Sequence, residues 1–383
     1  MTTSHGVVPL VDLSAGYERI REELLGEFDR VLGKMDLFLG ESVRAFEREF
    51  ASWCECPHGI GMSSGTDALY AALRACGVGP GDEVILPALT FFASTEAVIH
   101  AGATPVFADV DPDTLGLDPA SVRDALSPES KAIVPVHMYG QPANMAPLLE
   151  MAHEHGLRVI EDAAQAHGAR IDGRPCGSLG DAGCFSFYFT KNLGAYGEAG
   201  FVTTGDEVLA EQLRLLRNHG QTSKHQHAIV GHNFRLDELQ AAVLRVKLRH
   251  LDEALERRRE IAARYDEYFR GSPVRTLSTR EGSLRAPHLY PVRVANRDAV
   301  ASALLSLGIE TGIHYREPVH LQPALQKHPH RCAALPVAER ACGELLSLPL
   351  YPELTEEQLE RVAQGLLQCV ADAPTSTPLR SVS

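Results

Sequence analysis

The chain has 383 residues, 44% of them apolar and 22% charged, an ordinary composition for a globular protein long enough for two domains at roughly 150 residues each. Its 36 Lys and Arg against 50 Asp and Glu give a net charge of −14, which repels phosphate backbones and argues against a nucleic-acid reader or an anionic-membrane binder. No apolar run approaches the roughly 20 residues of a membrane span.

The opening Met1-Thr2-Thr3-Ser4-His5-Gly6 lacks the basic and apolar blocks of a signal peptide, so a cytoplasmic protein is expected. Ile20, Leu24, Phe28 and Val31 then recur at helical spacing in a charged segment and predict an amphipathic helix lying on something larger. From about residue 58 the texture changes. Short β-rich runs at 84–86, 105–110, 132–136 and 157–160 alternate with helical stretches at 67–76 and 145–155. That alternation predicts βαβ units and a mostly parallel sheet, whose ligands bind beyond the carboxyl ends of the strands. Runs at 184–189 and 200–204 extend the sheet. A long helical stretch follows from near Leu236 to Phe269, with Leu244, Leu248, Leu251 and Leu255 on one face, and reads as a connector. A smaller αβ pattern begins near 285, with a strand at 288–294 and a helix at 298–307. The expected organisation is a large domain at 1–250, a small C-terminal domain at 251–372, and a Pro, Ser and Thr tail at 373–383 that buries too little to fold.

Several segments carry chemistry-bearing residues. Gly59-Ile60-Gly61-Met62-Ser63-Ser64-Gly65-Thr66-Asp67 opens a helix, and small residues there bare backbone N–H groups that can hold a phosphate, although Ser or Thr capping explains the same pattern. As a dinucleotide fingerprint it fails, because Ser64 stands where glycine is needed. Glu161-Asp162-Ala163-Ala164-Gln165-Ala166-His167 ends an apolar strand in two acids, which either cap the next segment or face a ligand. Lys191 follows the aromatic run Phe185-Ser186-Phe187-Tyr188-Phe189 and either snorkels to water or serves as a nucleophile. His219, His225, His227 and His232 match no metal-ligand spacing, Cys54-x-Cys56 is too short for a zinc knuckle, and the eight scattered cysteines suggest free thiols. No metal is expected.

The order of these pieces makes the chain recognisable. Ser64-Gly65-Thr66-Asp67-Ala68-Leu69, Gly81-Asp82-Glu83-Val84-Ile85, Glu161-Asp162-Ala163-Ala164-Gln165, Phe185-Ser186-Phe187-Tyr188 with Lys191-Asn192-Leu193-Gly194, and Asn233-Phe234-Arg235-Leu236-Asp237-Glu238 follow one another. Together they resemble the DegT/DnrJ/StrS family of pyridoxal-phosphate-dependent sugar aminotransferases, from about residue 9 to 365. The resemblance implies a fold-type I α/β protein, with a large mostly parallel sheet flanked by helices and a smaller αβ domain.

It also implies pyridoxal 5'-phosphate as cofactor, L-glutamate as amino donor and a nucleotide-linked keto sugar as acceptor, in two half-reactions. Lys191 would bond to the cofactor aldehyde and then carry the Cα proton. Asp162 would keep the ring nitrogen protonated, Gln165 would meet the ring hydroxyl, and Phe91 would stack on the ring, against the alternative that it is simply core. Gly65, Thr66 and Ser186 would hold the phosphate, with Asn233 reaching in from a second subunit of a homodimer. Tyr188, His314 and Tyr315 would touch the sugar, and the local pattern looks more like amination at C3 of a dTDP-3-keto-6-deoxyhexose than at C4. Arg214, Arg217, Lys224 and Arg235 are the nearest cations in sequence for an anionic nucleotide. Phe189 and Arg316 stand where such relatives usually have proline, and Phe234 follows Asn233 where a small residue is common. A 4-keto sugar, a keto-inositol or a nucleoside sugar remains an alternative acceptor. A related dehydratase would carry histidine in place of Lys191, and a binding protein would have no use for Lys191 and Asp162 together.

Overall fold

The computed structural model describes residues 6–372. The expectations placed on residues 1–5 and on the tail 373–383 lie outside the described residues. The centre is an eight-stranded sheet in the spatial order His58–Met62, Gly200–Thr204, Ala182–Ser186, Arg158–Asp162, Ser130–Ile133, Glu83–Pro87, Thr104–Ala108 and Arg331–Cys332. Every pairing from Ala182–Ser186 outward to Arg331–Cys332 is parallel, and Gly200–Thr204 pairs antiparallel with both of its neighbours.

The apolar strand runs follow from burial on both faces. In Glu83–Pro87, Val84 and Leu86 join one core with Ile60, Phe107, Ile160 and the helix Gly65–Ala75. Ile85 points the other way, to Val106, Val159, Leu148 and Met151. A third cluster covers the end of that second face, where Phe46 and Phe50 of the helix Glu41–Trp53 meet Phe185, Phe187 and Phe201 edge to face at ring distances of 5.0 to 5.6 Å.

The sequence did not announce the edge strand His58–Met62, because two of its five residues are glycine. Tight packing is the reason for those glycines: a Cβ on Gly59 would stand 2.5 Å from the Phe201 ring, and one on Gly61 would stand 2.8 Å from Leu236. The amphipathic N-terminal helix spans Ser14–Lys34 and buries Ile20, Leu24 and Val31, the first two packing against Val243 and Val246.

The single long helix expected from Leu236 to Phe269 is instead two helices, Glu238–Arg249 and Leu251–Phe269, divided at His250. The second does connect two cores. Leu251 and Leu255 belong to the phenylalanine cluster of the large sheet, whereas Ile261, Tyr265 and Phe269 belong to a separate core. A periodicity argument cannot see the break, because the leucines on both sides of it still face the same cluster. That separate core lies between the antiparallel sheet Arg275–Thr276, Tyr290–Arg293 and Leu345–Leu348 and the helices Leu251–Phe269, Arg297–Ser306 and Glu356–Asp372. The chain crosses between the cores more than once, since Val8 packs in the smaller one while Val319, Leu325, Leu335 and Cys342 pack in the larger.

Candidate active site

The carboxyl ends of the parallel strands open on a cavity of about 550 Å³. Its walls include Ser64, Gly65 and Thr66 after the strand His58–Met62, Phe91 and Ser94 after Glu83–Pro87, Asp162 at the end of Arg158–Asp162 with Gln165 beyond it, and Ser186 at the end of Ala182–Ser186 with Tyr188 and Lys191 beyond it. His314 and Tyr315 close it from the C-terminal part of the chain. The residues singled out from sequence for the cofactor and the sugar therefore converge apart from Asn233, whereas the suggested cations Arg214, Arg217, Lys224 and Arg235 do not line the cavity.

The two acids at the strand end have separate duties because neighbouring strand residues point to opposite faces. Glu161 is fully buried and accepts hydrogen bonds from the backbone N–H groups of Gly177 at 2.7 Å, Leu179 at 2.7 Å and Gly180 at 2.8 Å. It also receives one from His137 at 2.9 Å. The His137 Nδ1 accepts from the Ala143 N–H at 3.0 Å, which leaves the ring proton on Nε2 for Glu161. Glu161 is thus a structural carboxylate that ties down the turn before Ala182–Ser186.

Asp162, 5% exposed, faces the cavity. Its Oδ2 accepts from the Ser94 hydroxyl at 2.7 Å and its Oδ1 from the Ala164 N–H at 3.1 Å. Burial pushes the Asp162 carboxyl up from its ordinary value, while Ser94, Ala164 and the nearby Lys191 oppose the rise. The Ser94 hydroxyl has one proton and gives it to Asp162, so the Thr90 hydroxyl, 3.0 Å away, must be the donor in the Thr90–Ser94 bond. Thr90 and Ser94 were not singled out from sequence; their spacing of four residues across the start of the helix Phe92–His100 was the available signal.

Lys191 sits on a loop held at its root, where Phe187 accepts from the Ala195 N–H and donates to the Ala199 carbonyl, both at 2.8 Å. Gly194 permits that tight return, since a Cβ there would stand 2.6 Å from the Phe189 carbonyl oxygen. Burial lowers the Lys191 amine to about 8, against the pull of Asp162. No hydrogen-bond or ion-pair partner engages that amine among the described residues.

The helix Gly65–Ala75 is capped by the Ser64 hydroxyl, which accepts from the Asp67 N–H at 3.1 Å, so capping and cavity lining coexist in one segment. A Cβ on Gly65 would come within 2.5 Å of the Ser186 Cβ. The helix start and Ser186 therefore form one close-packed cradle suited to an anion. Phe91 is 57% exposed and presents its ring beside Tyr315 at 5.9 Å. Gln165 accepts from the Tyr139 N–H at 2.8 Å, which aims its amide nitrogen toward Tyr315 at 3.4 Å. An anion cradle, an exposed flat ring, a buried acid and an unpartnered amine in one cavity fit a flat, phosphorylated, aldehyde-bearing heterocycle.

Other sequence candidates fall elsewhere. Asn233 is exposed and forms a β-bridge with Asn218 outside this cavity. The suggested cations do not line it either. Arg217 is buried against Glu47 and donates to the Gly61 carbonyl at 3.0 Å; Arg235 donates to Asn218 at 3.1 Å and covers the Phe38 ring; Arg214 pairs with Glu211. Besides Lys191, the Arg or Lys side chain that lines the cavity among the described residues is Arg258, which was not singled out from sequence.

The family model described as the DegT/DnrJ/EryC1/StrS aminotransferase family matches residues 18–367. A dTDP-3-amino-3,4,6-trideoxy-alpha-D-glucose transaminase of Streptomyces venezuelae is 47% identical over 360 residues, 94% of this chain and 95% of that protein. A UDP-N-acetyl-3-dehydro-alpha-D-glucosamine 3-aminotransferase of Acidithiobacillus ferrooxidans is 45% identical over 363 residues, 94% and 97% of the two chains. The crystal structure of Streptomyces venezuelae DesV in complex with a ketimine intermediate matches with a TM-score of 0.94 at 45% identity, covering 96% of this chain and all of that one. With the family pattern spanning both cores and the lysine, acid and glycine cradle gathered at one sheet edge, the chain belongs to the DegT/DnrJ/EryC1/StrS family and is an aminotransferase of the pyridoxal-phosphate type.

Proposed function

We propose that this aminotransferase moves an amino group from L-glutamate to C3 of a dTDP-3-keto-6-deoxyhexose, in amino-sugar biosynthesis for a secondary metabolite or a surface glycan. The observation that carries the reading is the convergence of Lys191 and Asp162 on one cavity. The 47% identity to a dTDP-3-amino sugar transaminase supports the acceptor. A cytoplasmic homodimer with shared sites is part of the proposal; among the described residues no helix is long and apolar enough to cross a membrane.

When bound, pyridoxal 5'-phosphate supplies an electron sink that makes the donor Cα–H acidic. The chain does the rest. Lys191, with its amine lowered to about 8, is close enough to neutrality to hold the Cα proton and return it. Asp162 would hold the proton on the ring nitrogen, and Ser94 and Thr90 hold Asp162. Gln165 would meet the ring hydroxyl, Phe91 would cover a ring face, and Gly65, Thr66 and Ser186 would receive the phosphate.

Tyr188, His314 and Tyr315 orient the sugar. His314 is pushed down to about 4 by burial, with the Lys191 charge adding to the effect, so it works as a neutral hydrogen-bonding group. Its Nδ1 is fixed by the Ser347 hydroxyl at 3.0 Å. Asn233, exposed on its own subunit, completes the phosphate site of the partner.

The test is the absorption spectrum of the holoenzyme on adding L-glutamate, followed by a panel of keto sugars. Conversion of the visible band to the near-ultraviolet pyridoxamine form, lost in Lys191→Ala, supports the reading; a band that L-glutamate leaves unchanged refutes the donor. A UDP-linked 3-keto sugar is the second acceptor reading, favoured by the 45% identity to the Acidithiobacillus ferrooxidans enzyme. Faster turnover of that carrier than of the dTDP sugar would establish it.

A further inference from the structure

Four arginines are buried among the described residues: Arg217, Arg258, Arg293 and Arg297. Three of them face a carboxylate, Arg217 with Glu47, Arg293 with Glu344 and Arg297 with Asp298. Even the sequence neighbours of the fourth are paired, Arg257 with Glu260 and Glu356 and Arg259 with Glu256. Arg258, 7% exposed, has no ion pair among the described residues, although Glu353 contributes a longer-range attraction. A buried cation without an anion is costly, and proteins leave one where a ligand brings the missing charge.

Its hydrogen bonds show how it is held. All three use Nη1, donating to the carbonyl oxygens of Leu350 at 2.9 Å, His288 at 3.4 Å and Pro287 at 3.5 Å. Nε and Nη2 have no protein acceptor among the described residues. The guanidinium is thus clamped by one corner, with an edge of its planar fork uncommitted and its side chain in the wall of the catalytic cavity.

The other charged and titratable groups of that wall leave few alternatives. Asp162 and Glu198 are acids, and His288 and His314 are held neutral mainly by burial. Lys191 is committed to the cofactor and the proton. Among the described residues Arg258 therefore supplies the one lasting positive charge of the cavity wall.

The donor in the reading above is an α-amino acid, whose α-carboxylate lies one bond from the reacting carbon and must enter the same cavity as Lys191. The phosphates of a nucleotide sugar lie beyond the sugar ring, farther from that carbon. We infer that Arg258 is the carboxylate anchor of the amino donor, with its free edge receiving the α-carboxylate. The inference rests on the proposed glutamate-dependent function and names the residue that selects an amino acid as donor.

Two experiments test it. Crystals of the holoenzyme are soaked with maleate, a dicarboxylate that cannot react. A carboxylate seated on the Arg258 guanidinium supports the inference; maleate seated elsewhere, or no maleate in the cavity, overturns it. This arm needs neither turnover nor a variant that folds. In the second, each half-reaction is followed separately in Arg258→Lys and Arg258→Gln.

The expected result is a KM for L-glutamate raised roughly 10- to 100-fold in Arg258→Gln, the span of a lost charged hydrogen bond. Arg258→Lys should recover part of the loss. The KM for the aminated sugar, which carries no carboxylate at its reacting carbon, should shift far less. Equal shifts for both substrates would mean a structural role and overturn the inference. Failure of the wild-type enzyme to react with L-glutamate would instead remove the donor reading, while the position of maleate still decides what Arg258 binds.

Discussion

The Ser94 hydroxyl offers a quantitative check on how Asp162 is kept ionised. Ser94→Ala removes the 2.7 Å bond to Asp162 Oδ2 at the wall of the cavity, and no other side chain among the described residues replaces that donor. A hydrogen bond to a charged group contributes about 1.5 to 3 kcal/mol, and one pKa unit corresponds to about 1.36 kcal/mol. The Asp162 carboxyl, already raised by burial, should therefore rise by a further 1 to 2 units or about that. The charged form is the one that pairs with a protonated ring nitrogen, so the acid limb of cofactor binding should move upward by the same amount. Pyridoxal phosphate affinity is measured by absorbance from pH 5 to 9 in wild type and variant. An acid limb unmoved to within about 0.3 unit, a small fraction of the expected shift, would refute the role given to Ser94.

Three further outcomes are expected. Gly65→Ala would place a Cβ 2.5 Å from the Ser186 Cβ and 3.1 Å from its Cα, atoms that cannot swing aside; at about 1 to 3 kcal/mol for such overpacking, cofactor affinity should fall by roughly 10- to 100-fold, and an unchanged affinity in a binding titration would remove the phosphate from this cradle. In the cofactor-free protein, Lys191 titrates near 8 folded against 10.5 ordinarily, so its lowered value stabilises nothing at neutral pH and wild-type stability should climb as pH rises from about 8 toward 10.5; Lys191→Met should melt higher than wild type at pH 7 and lose that lead by pH 10, and a pH-independent difference would contradict the burial argument. Glu161→Gln replaces one acceptor oxygen among four inward-pointing donors and should cost about 2 to 4 kcal/mol in urea unfolding; an unaltered midpoint would mean that the turn at residues 177–180 does not depend on the carboxylate.

The sequence by itself determined the fold class and pointed to many of the residues that line the cavity. Strand runs alternating with helical periodicity required a parallel sheet, and parallel sheets hold ligands beyond their carboxyl ends, so Gly65, Asp162 and Lys191 could be placed at one edge from their positions alone. Distances and partners were beyond it. The Glu161–Asp162 doublet reads as two equivalent acids, and only the pleat assigns one to the backbone of a turn and the other to the cavity. Nothing in the local pattern separates Arg258 from its neighbours Arg257 and Arg259, and only the packing of Leu251–Phe269 between two cores turns the middle one inward, away from any carboxylate. Local patterns report periodicity and residue type. Which buried charge lacks a partner depends on contacts between segments some 30 to 90 residues apart, as the carbonyls around Arg258 show, and that information exists only in the tertiary structure.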